Sequence, residues 1–215
     1  MNIIEIKKQH IPSASIVLAE AFQEDPIFRY IFKTQAQYDR GAAWLFSTWI
    51  RWAIKYGKAW MTEDGNGIVL MRSLESPNMT LRSMIGAGML PTPFRLGWRS
   101  FFRFYFKIVS LLDRRHAAIM GKQPHWYGWM IGVKPGHQGI GRELMNHCFN
   151  LADQKQLPIF LETSTARNVS LYGHKEFRLH EKLTFTPGDF NLYFMVRPPQ
   201  PITNGYTTQV RHSSL

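Results

Sequence analysis

Val133-Lys134-Pro135-Gly136-His137-Gln138-Gly139-Ile140-Gly141-Arg142 joins an almost wholly apolar run, His125 to Val133, to an amphipathic run, Gly141 to Gln154. The order is strand, glycine turn, helix start. An unbroken apolar strand is buried on both faces and belongs at the centre of a sheet. Gly128 and Gly132 inside it point to a bulge or a close backbone approach. In the helix, Leu144, Met145, Cys148, Phe149 and Ala152 share one face, and polar residues take the other. The first amides of a helix have no partner within it and carry partial positive charge, so this turn suits phosphate. Its glycines let the backbone approach a diphosphate closely. Arg142 opposes the helix dipole unless an anion is bound; the alternative is a solvated arginine. A Walker loop is excluded, because Gly141 is followed by Arg142-Glu143. A dinucleotide fingerprint is not excluded by spacing, since Glu162 lies near the distance at which its acidic residue falls.

The next segments narrow the reading. Leu157 to Thr163 reads as a strand, and Arg167 to about Lys175 as a short helix with Asn168 and Tyr172 on one face. Phe177 to Phe185 and Phe190 to Arg197 read as strands joined by Thr186-Pro187-Gly188-Asp189. This succession resembles the GCN5-related N-acetyltransferases: Val133, Pro135, Gln138, Gly139 and Gly141, then Leu161 to Ser164, then Asn168, Tyr172 and Phe177, then Met195 and Arg197. The resemblance covers about residues 125 to 197. It departs at Glu176, where the family usually has glycine before Phe. Glutamate there must avoid positive φ or bear about 1 kcal/mol of strain.

The resemblance implies an α/β fold: a mixed sheet of about seven strands flanked by helices, with a helical insertion between the third and fourth strands. It implies acetyl-CoA as co-substrate and acetyl transfer to a primary amine. Gln138, Gly139, Ile140, Gly141 and Arg142 would hold the diphosphate. A bulge at Ile131, Gly132 and Val133 would meet the pantetheine arm and polarise the thioester carbonyl. Asn168 would bind the arm, and Tyr172 would protonate the departing sulfur unless it is only a core aromatic. For the base, His125 is the titratable candidate of the central strand besides Tyr127. Glu162, on the next strand, either acts through water or is a paired structural carboxylate. Glu24 and Asp25 are candidates to bind a cationic acceptor; helix capping is the alternative for Asp25.

The remaining chain reads as a strand Asn2–Lys7, helices Pro12–Phe22, Ile27–Phe32 and Tyr38–Tyr56, and a hairpin Lys58–Thr62/Gly67–Arg72 across Asp64-Gly65-Asn66-Gly67. Residues 73–124 are too many for a structureless loop, so helices are expected at about Met79–Met89 and Phe94–Leu112. The second is apolar over most of its circumference. It packs into the core or lids the acceptor site; a dimer contact or a membrane-surface helix are the alternatives. Residues 1–197 are expected to form one domain and 198–215 a mobile tail.

The chain has 215 residues, one cysteine and a net charge of +11. Such charge draws polyanions, coenzyme A among them. Nucleic acid is not an expected partner, since no helix-turn-helix or RNA-recognition pattern is present. The eight histidines show no close metal-binding pairs, and no metal is expected. The lone Cys148 suits a buried structural thiol in a reducing compartment, and a cytoplasmic location is expected. No spanning segment or signal peptide is visible. The alternative functions are a non-catalytic acyl-CoA binder that has lost its base, and a basic nucleic-acid-binding protein.

Overall fold

The computed structural model describes residues 1–73 and 81–201. Seven strands form one sheet in the order β1-β2-β3-β4-β5-β7-β6. They are β1 (Ile3–Glu5), β2 (Lys58–Thr62), β3 (Gly67–Ser73), β4 (Trp126–Val133), β5 (Ile159–Thr163), β6 (Arg178–Phe185) and β7 (Phe190–Arg197). The β2–β3 hairpin closes as its sequence requires. Gly65 takes a φ of 76°, and Asp64 accepts from the Asn66 amide at 3.1 Å.

β4 and β5 are parallel, and they pair only at Trp126–Ile159 and Tyr127–Phe160. Beyond those residues the edge of β4 facing β5 has no strand partner among the described residues, and the sheet splits. On its other edge β4 pairs with β3 along its length, with a register shift that places Leu70 opposite Met130 and Met71 opposite Gly128. The bulged residue is therefore Trp129, two positions before the expected Ile131–Val133. Gly128 supplies the flexible position beside it. Gly132 serves a different need: a Cβ there would stand 2.7 Å from Leu18 Cδ2 and 3.1 Å from Ala21 Cβ. Helix α1 (Ile11–Phe22) thus lies directly on the central strand.

Each face of the sheet has its own core. On one pack α1, α2 (Pro26–Ile31) and α3 (Gln35–Tyr56), with Leu18, Ile31, Phe46, Ile50 and Trp52 fully buried. α2 starts at Pro26 because Asp25 caps it, accepting from the Ile27 amide at 2.9 Å. On the other face lie α8 (Ile140–Gln154) and α9 (Ala166–Gly173), packing Leu144, Met145, Cys148 and Tyr172 against Trp60, Leu161 and Met195. Three residues past the end of α9, Glu176 has a φ of 66°, so the glutamate adopts the strained conformation.

The described part of the segment between β3 and β4 is helical, as expected, with different bounds. It contains α4 (Leu81–Gly86), α5 (Thr92–Leu96), and a continuous helical run from α6 (Trp98–Phe102) through a π-helical stretch (Arg103–Val109) to α7 (Ser110–Met120). The break between α5 and α6 falls at Gly97, whose φ of 78° suits glycine. The start of the expected helix at Met79 and the tail beyond residue 201 lie outside the described residues.

Candidate active site

The split between β4 and β5 opens into a cavity of about 180 Å³ that reaches both faces of the sheet. Strand alternation sorts its walls. Tyr127, on β4, belongs to the core under α1–α3 and the insertion. Its hydroxyl donates to Glu162 Oε1, which puts the β5 carboxylate on that same face. Leu161 and Tyr172 belong to the opposite core. The cavity therefore has a carboxylate toward one face and a phenol toward the other.

Glu162 is in an unusual state for a carboxyl. Burial pushes its pKa from 4.5 up to about 7; Tyr127's hydrogen bond and the positive charge of Arg72 oppose this, and Asp113 adds to it. Its Oε2 is buried with no hydrogen-bond partner among the described residues. A proton acceptor that titrates near neutrality, with one oxygen free, has the properties of a general base. Tyr172 is held the other way. Burial, then the nearby Cys148 and Glu162, push its pKa up to about 12, so the phenol keeps its proton at neutral pH. Cys148 beside it is also pushed to about 12 by burial, and remains a thiol. It is no nucleophile at neutral pH.

The face carrying Glu162 is rich in rings. Phe22, Phe28, Trp49, Phe104, Tyr127 and Trp129 line the cavity there. Trp49 packs 5.5 Å from Trp129 and 5.6 Å from Phe104, centroid to centroid. Arg72, at the end of β3, sits among these rings, 5.1 Å from Trp52, 5.4 Å from Tyr127 and 5.7 Å from Trp129. Phe104, Ile108, Val109, Leu112 and Asp113 from the insertion complete the wall, so its inner side is a lid. Burial raises the Asp113 carboxyl, and Arg72 pulls it back down.

The other residues singled out from the sequence fall in three places. Ile131, Asn168 and Asp25 line the cavity. Asn168 donates to Thr163 Oγ1 at 3.1 Å, and Asp25 Oδ2 accepts from Ser164 at 2.7 Å while the same side chain caps α2. With those bonds made and its pKa raised by burial, Asp25 fastens α2 to the end of β5. Gly139 is the N-cap of α8, left-handed at φ 86°, and no side chain among the described residues caps that helix. Gln138, Gly139 and Arg142 are exposed around this end, and Ile140 is buried as the anchor of the helix on Gly67. Gly141 lies against Val133, and Gly132 against α1. His125 and Glu24 are outside the cavity wall: His125 contacts His116 Nε2 at 2.6 Å and the Gln123 carbonyl, and Glu24 pairs with Arg29 on the surface. Among the described residues no group of three His, Cys, Asp or Glu side chains is placed to hold a metal, and no helix is long and apolar enough to cross a membrane.

Sequence reasoning passed over Arg72, Asp113 and the ring wall. Asp113 had a signal: it is the one acidic residue between positions 76 and 124. Arg72 had none, because its position depends on how β3 meets β4.

Known proteins share this fold. Residues 96–177 match the model of the acetyltransferase (GNAT) family. An uncharacterized N-acetyltransferase of Schizosaccharomyces pombe is 25% identical over 203 residues, 91% of this chain and 82% of that protein. Among solved structures, a histone acetyltransferase HPA2 and related acetyltransferase from Corynebacterium glutamicum matches with a TM-score of 0.62 at 20% identity, covering 94% of this chain and 98% of that one. Arylalkylamine N-acetyltransferase 2 from Aedes aegypti matches with a TM-score of 0.63 at 13% identity, covering 93% of this chain and 99% of that one. The resemblance to the GCN5-related N-acetyltransferases thus holds in sequence and in fold, and the fold is theirs.

Proposed function

We propose that this chain transfers acetyl from acetyl-CoA to a primary amine by direct attack, with Glu162 as base and Tyr172 as acid. The observation that carries this is the placement of the two groups on opposite faces of one split sheet. The amine enters from the ring-lined face, where Glu162, directly or through one water, takes a proton from its ammonium form. The nitrogen attacks the thioester carbonyl carbon, the C–S bond breaks, Tyr172 passes its proton to the leaving sulfur, and the second proton leaving the new amide nitrogen restores the Tyr172 phenol through water. Backbone amides on the unpaired edge of β4, near the Trp129 bulge, polarise the carbonyl oxygen. Cys148, the chain's one thiol, stays protonated and so is a poor acyl acceptor, which supports direct transfer.

The residues present fit coenzyme A. The uncapped α8 end, with left-handed Gly139 and exposed Gln138 and Arg142, suits the diphosphate. Ile131 and Asn168, which line the cavity, would meet the pantetheine arm together with Gly132 and Val133, and Ile140 and Gly141 would complete the diphosphate turn. For the acceptor, we infer a small amine with an apolar, preferably aromatic body. A cavity of about 180 Å³ walled by rings takes one such body, since an apolar cavity of about 150 Å³ already accepts benzene. Asp113 and Glu162 would attract its ammonium group, and the positive charge of Arg72 opposes the rise that burial imposes on both carboxyls.

The test is thiol release from acetyl-CoA with matched phenylethyl-, alkyl- and polyamine acceptors, alongside calorimetry with coenzyme A. Turnover is expected to favour the aromatic amines. Heat of binding without turnover on any amine would leave a coenzyme binder in place of an enzyme.

A further inference from the structure

The lid has a second apolar side that the acetyl-transfer site does not use. Its inner side buries Phe104 and Ile108. On its outer side Phe94 is 78% exposed, Trp98 58%, Phe102 57% and Phe106 55%. These rings form a continuous patch. Phe94 lies 5.8 Å from Trp98, Trp98 6.2 Å from Phe101, Phe101 6.3 Å from Phe106, and Phe106 4.8 Å from Phe102, centroid to centroid.

Each exposed ring is followed at once by a cation: Phe94-Arg95, Trp98-Arg99, Phe102-Arg103, Phe106-Lys107. The repeat is four residues, close to a helical turn, so rings recur along one side with cations beside them. Arg95, Arg99 and Lys107 are exposed. Arg103 turns inward instead, donating to the Ile31 carbonyl at 3.0 and 2.8 Å, and so roots the lid on α2. Between positions 76 and 112 the chain has five Arg or Lys residues and no Asp or Glu.

We propose that this outer face docks on an anionic lipid bilayer. Indole and phenyl rings partition into the interfacial zone of a bilayer, and the cations beside them, which make no ion pair among the described residues, meet anionic headgroups. A second copy of the chain fits the patch poorly, because pairing it with itself would set one group of cations against another. A protein partner would need both an apolar surface and an excess of acidic residues. Docking through this side would bring the mouth of the ring-lined cavity close to the lipid, since the same helix lines both.

The experiment is flotation of the full chain with vesicles of phosphatidylcholine alone, and with about one third phosphatidylserine. Two variants accompany it: Arg95→Gln/Arg99→Gln/Lys107→Gln, and Phe94→Ser/Trp98→Ser/Phe102→Ser/Phe106→Ser. Circular dichroism checks that each is folded. The chain is expected to float with the anionic vesicles only, and less so in high salt. Each variant should lower the partition coefficient at least about tenfold, and thiol release in solution by the charge variant should be unchanged. Failure to float with anionic vesicles would overturn the proposal. So would flotation that neither variant weakens, or a dimer in sedimentation that the four-serine variant dissolves.

Discussion

Replacing Glu162 by glutamine separates catalysis from stability in opposite directions. Glutamine keeps the shape and an acceptor for the Tyr127 hydroxyl, but it has no charge and takes no proton. An alkylamine of pKa near 10.4 is only about 0.04% neutral at pH 7. Without a base, only that fraction reacts. For the wild type, kcat/KM for the amine should rise tenfold per pH unit up to about 7, where Glu162 ionises, then stay level until the amine itself loses its proton. For Glu162→Gln the level region should vanish, with the rate still climbing up to the amine pKa. At pH 7.5 the variant should be about 100- to 10,000-fold slower.

Stability should move the other way. The folded-state pKa of Glu162 is above its ordinary 4.5, so the folded protein holds this proton more tightly than the unfolded chain. The native state therefore loses stability as pH rises from 4.5 through about 7. Raising the carboxyl that far corresponds to about 3 kcal/mol against its ionised form. Glu162→Gln should be more stable than wild type by up to that amount at pH 8, and the gap should close below pH 4.5. Urea denaturation at pH 4.5 and pH 8, with stopped thiol-release assays across pH 6 to 10, measures both arms. A variant that keeps the level region with its break near 7, or that is no more stable at pH 8, would refute the assignment.

Tyr172→Phe removes the acid while keeping the ring, which packs 5.5 Å from Phe177; kcat should fall about 100-fold with the melting temperature nearly unchanged, and a fall confined to KM would argue for a packing role. Glu176→Gly relieves a φ of 66° and should stabilise the protein by about 1 kcal/mol in urea denaturation. The contact it gives up is a 3.6 Å approach to Arg197 by a side chain that is 58% exposed, which is worth little. Arg197 retains its bidentate pairing with Asp153 at 2.7 and 2.9 Å. Gly132→Ala sets a methyl 3.1 Å from Ala21 Cβ and 2.7 Å from Leu18 Cδ2; Leu18 can rotate but Ala21 cannot, so a loss of about 1–3 kcal/mol is expected. An unchanged denaturation midpoint would show that α1 does not rest on the central strand.

The sequence alone determined the parts whose physics is local. The apolar run into Val133, the glycines after it and the amphipathic stretch to Gln154 require a buried strand, a tight turn and a helix start. Asn168 and Tyr172 share a face because four residues make about one turn. The hairpin at Asp64 and the helical content of the insertion were legible for the same reason. Their details were less so: the bulge lies at Trp129, since strand register is decided by the partner β3, and the long helix runs on to Met120 because its far end is held by packing and by the Arg115–Glu181 pair. The chemistry of the site belongs to tertiary structure. Tyr127 and Glu162 are 35 positions apart, and Asp25 and Ser164 139 apart, and only the fold makes them neighbours. His125, one residue before β4, does not line the cavity, while Glu162 owes its neutral-range pKa to burial that no spacing reveals. A motif states which groups a short segment can offer; the charge those groups carry depends on the walls that distant segments build around them.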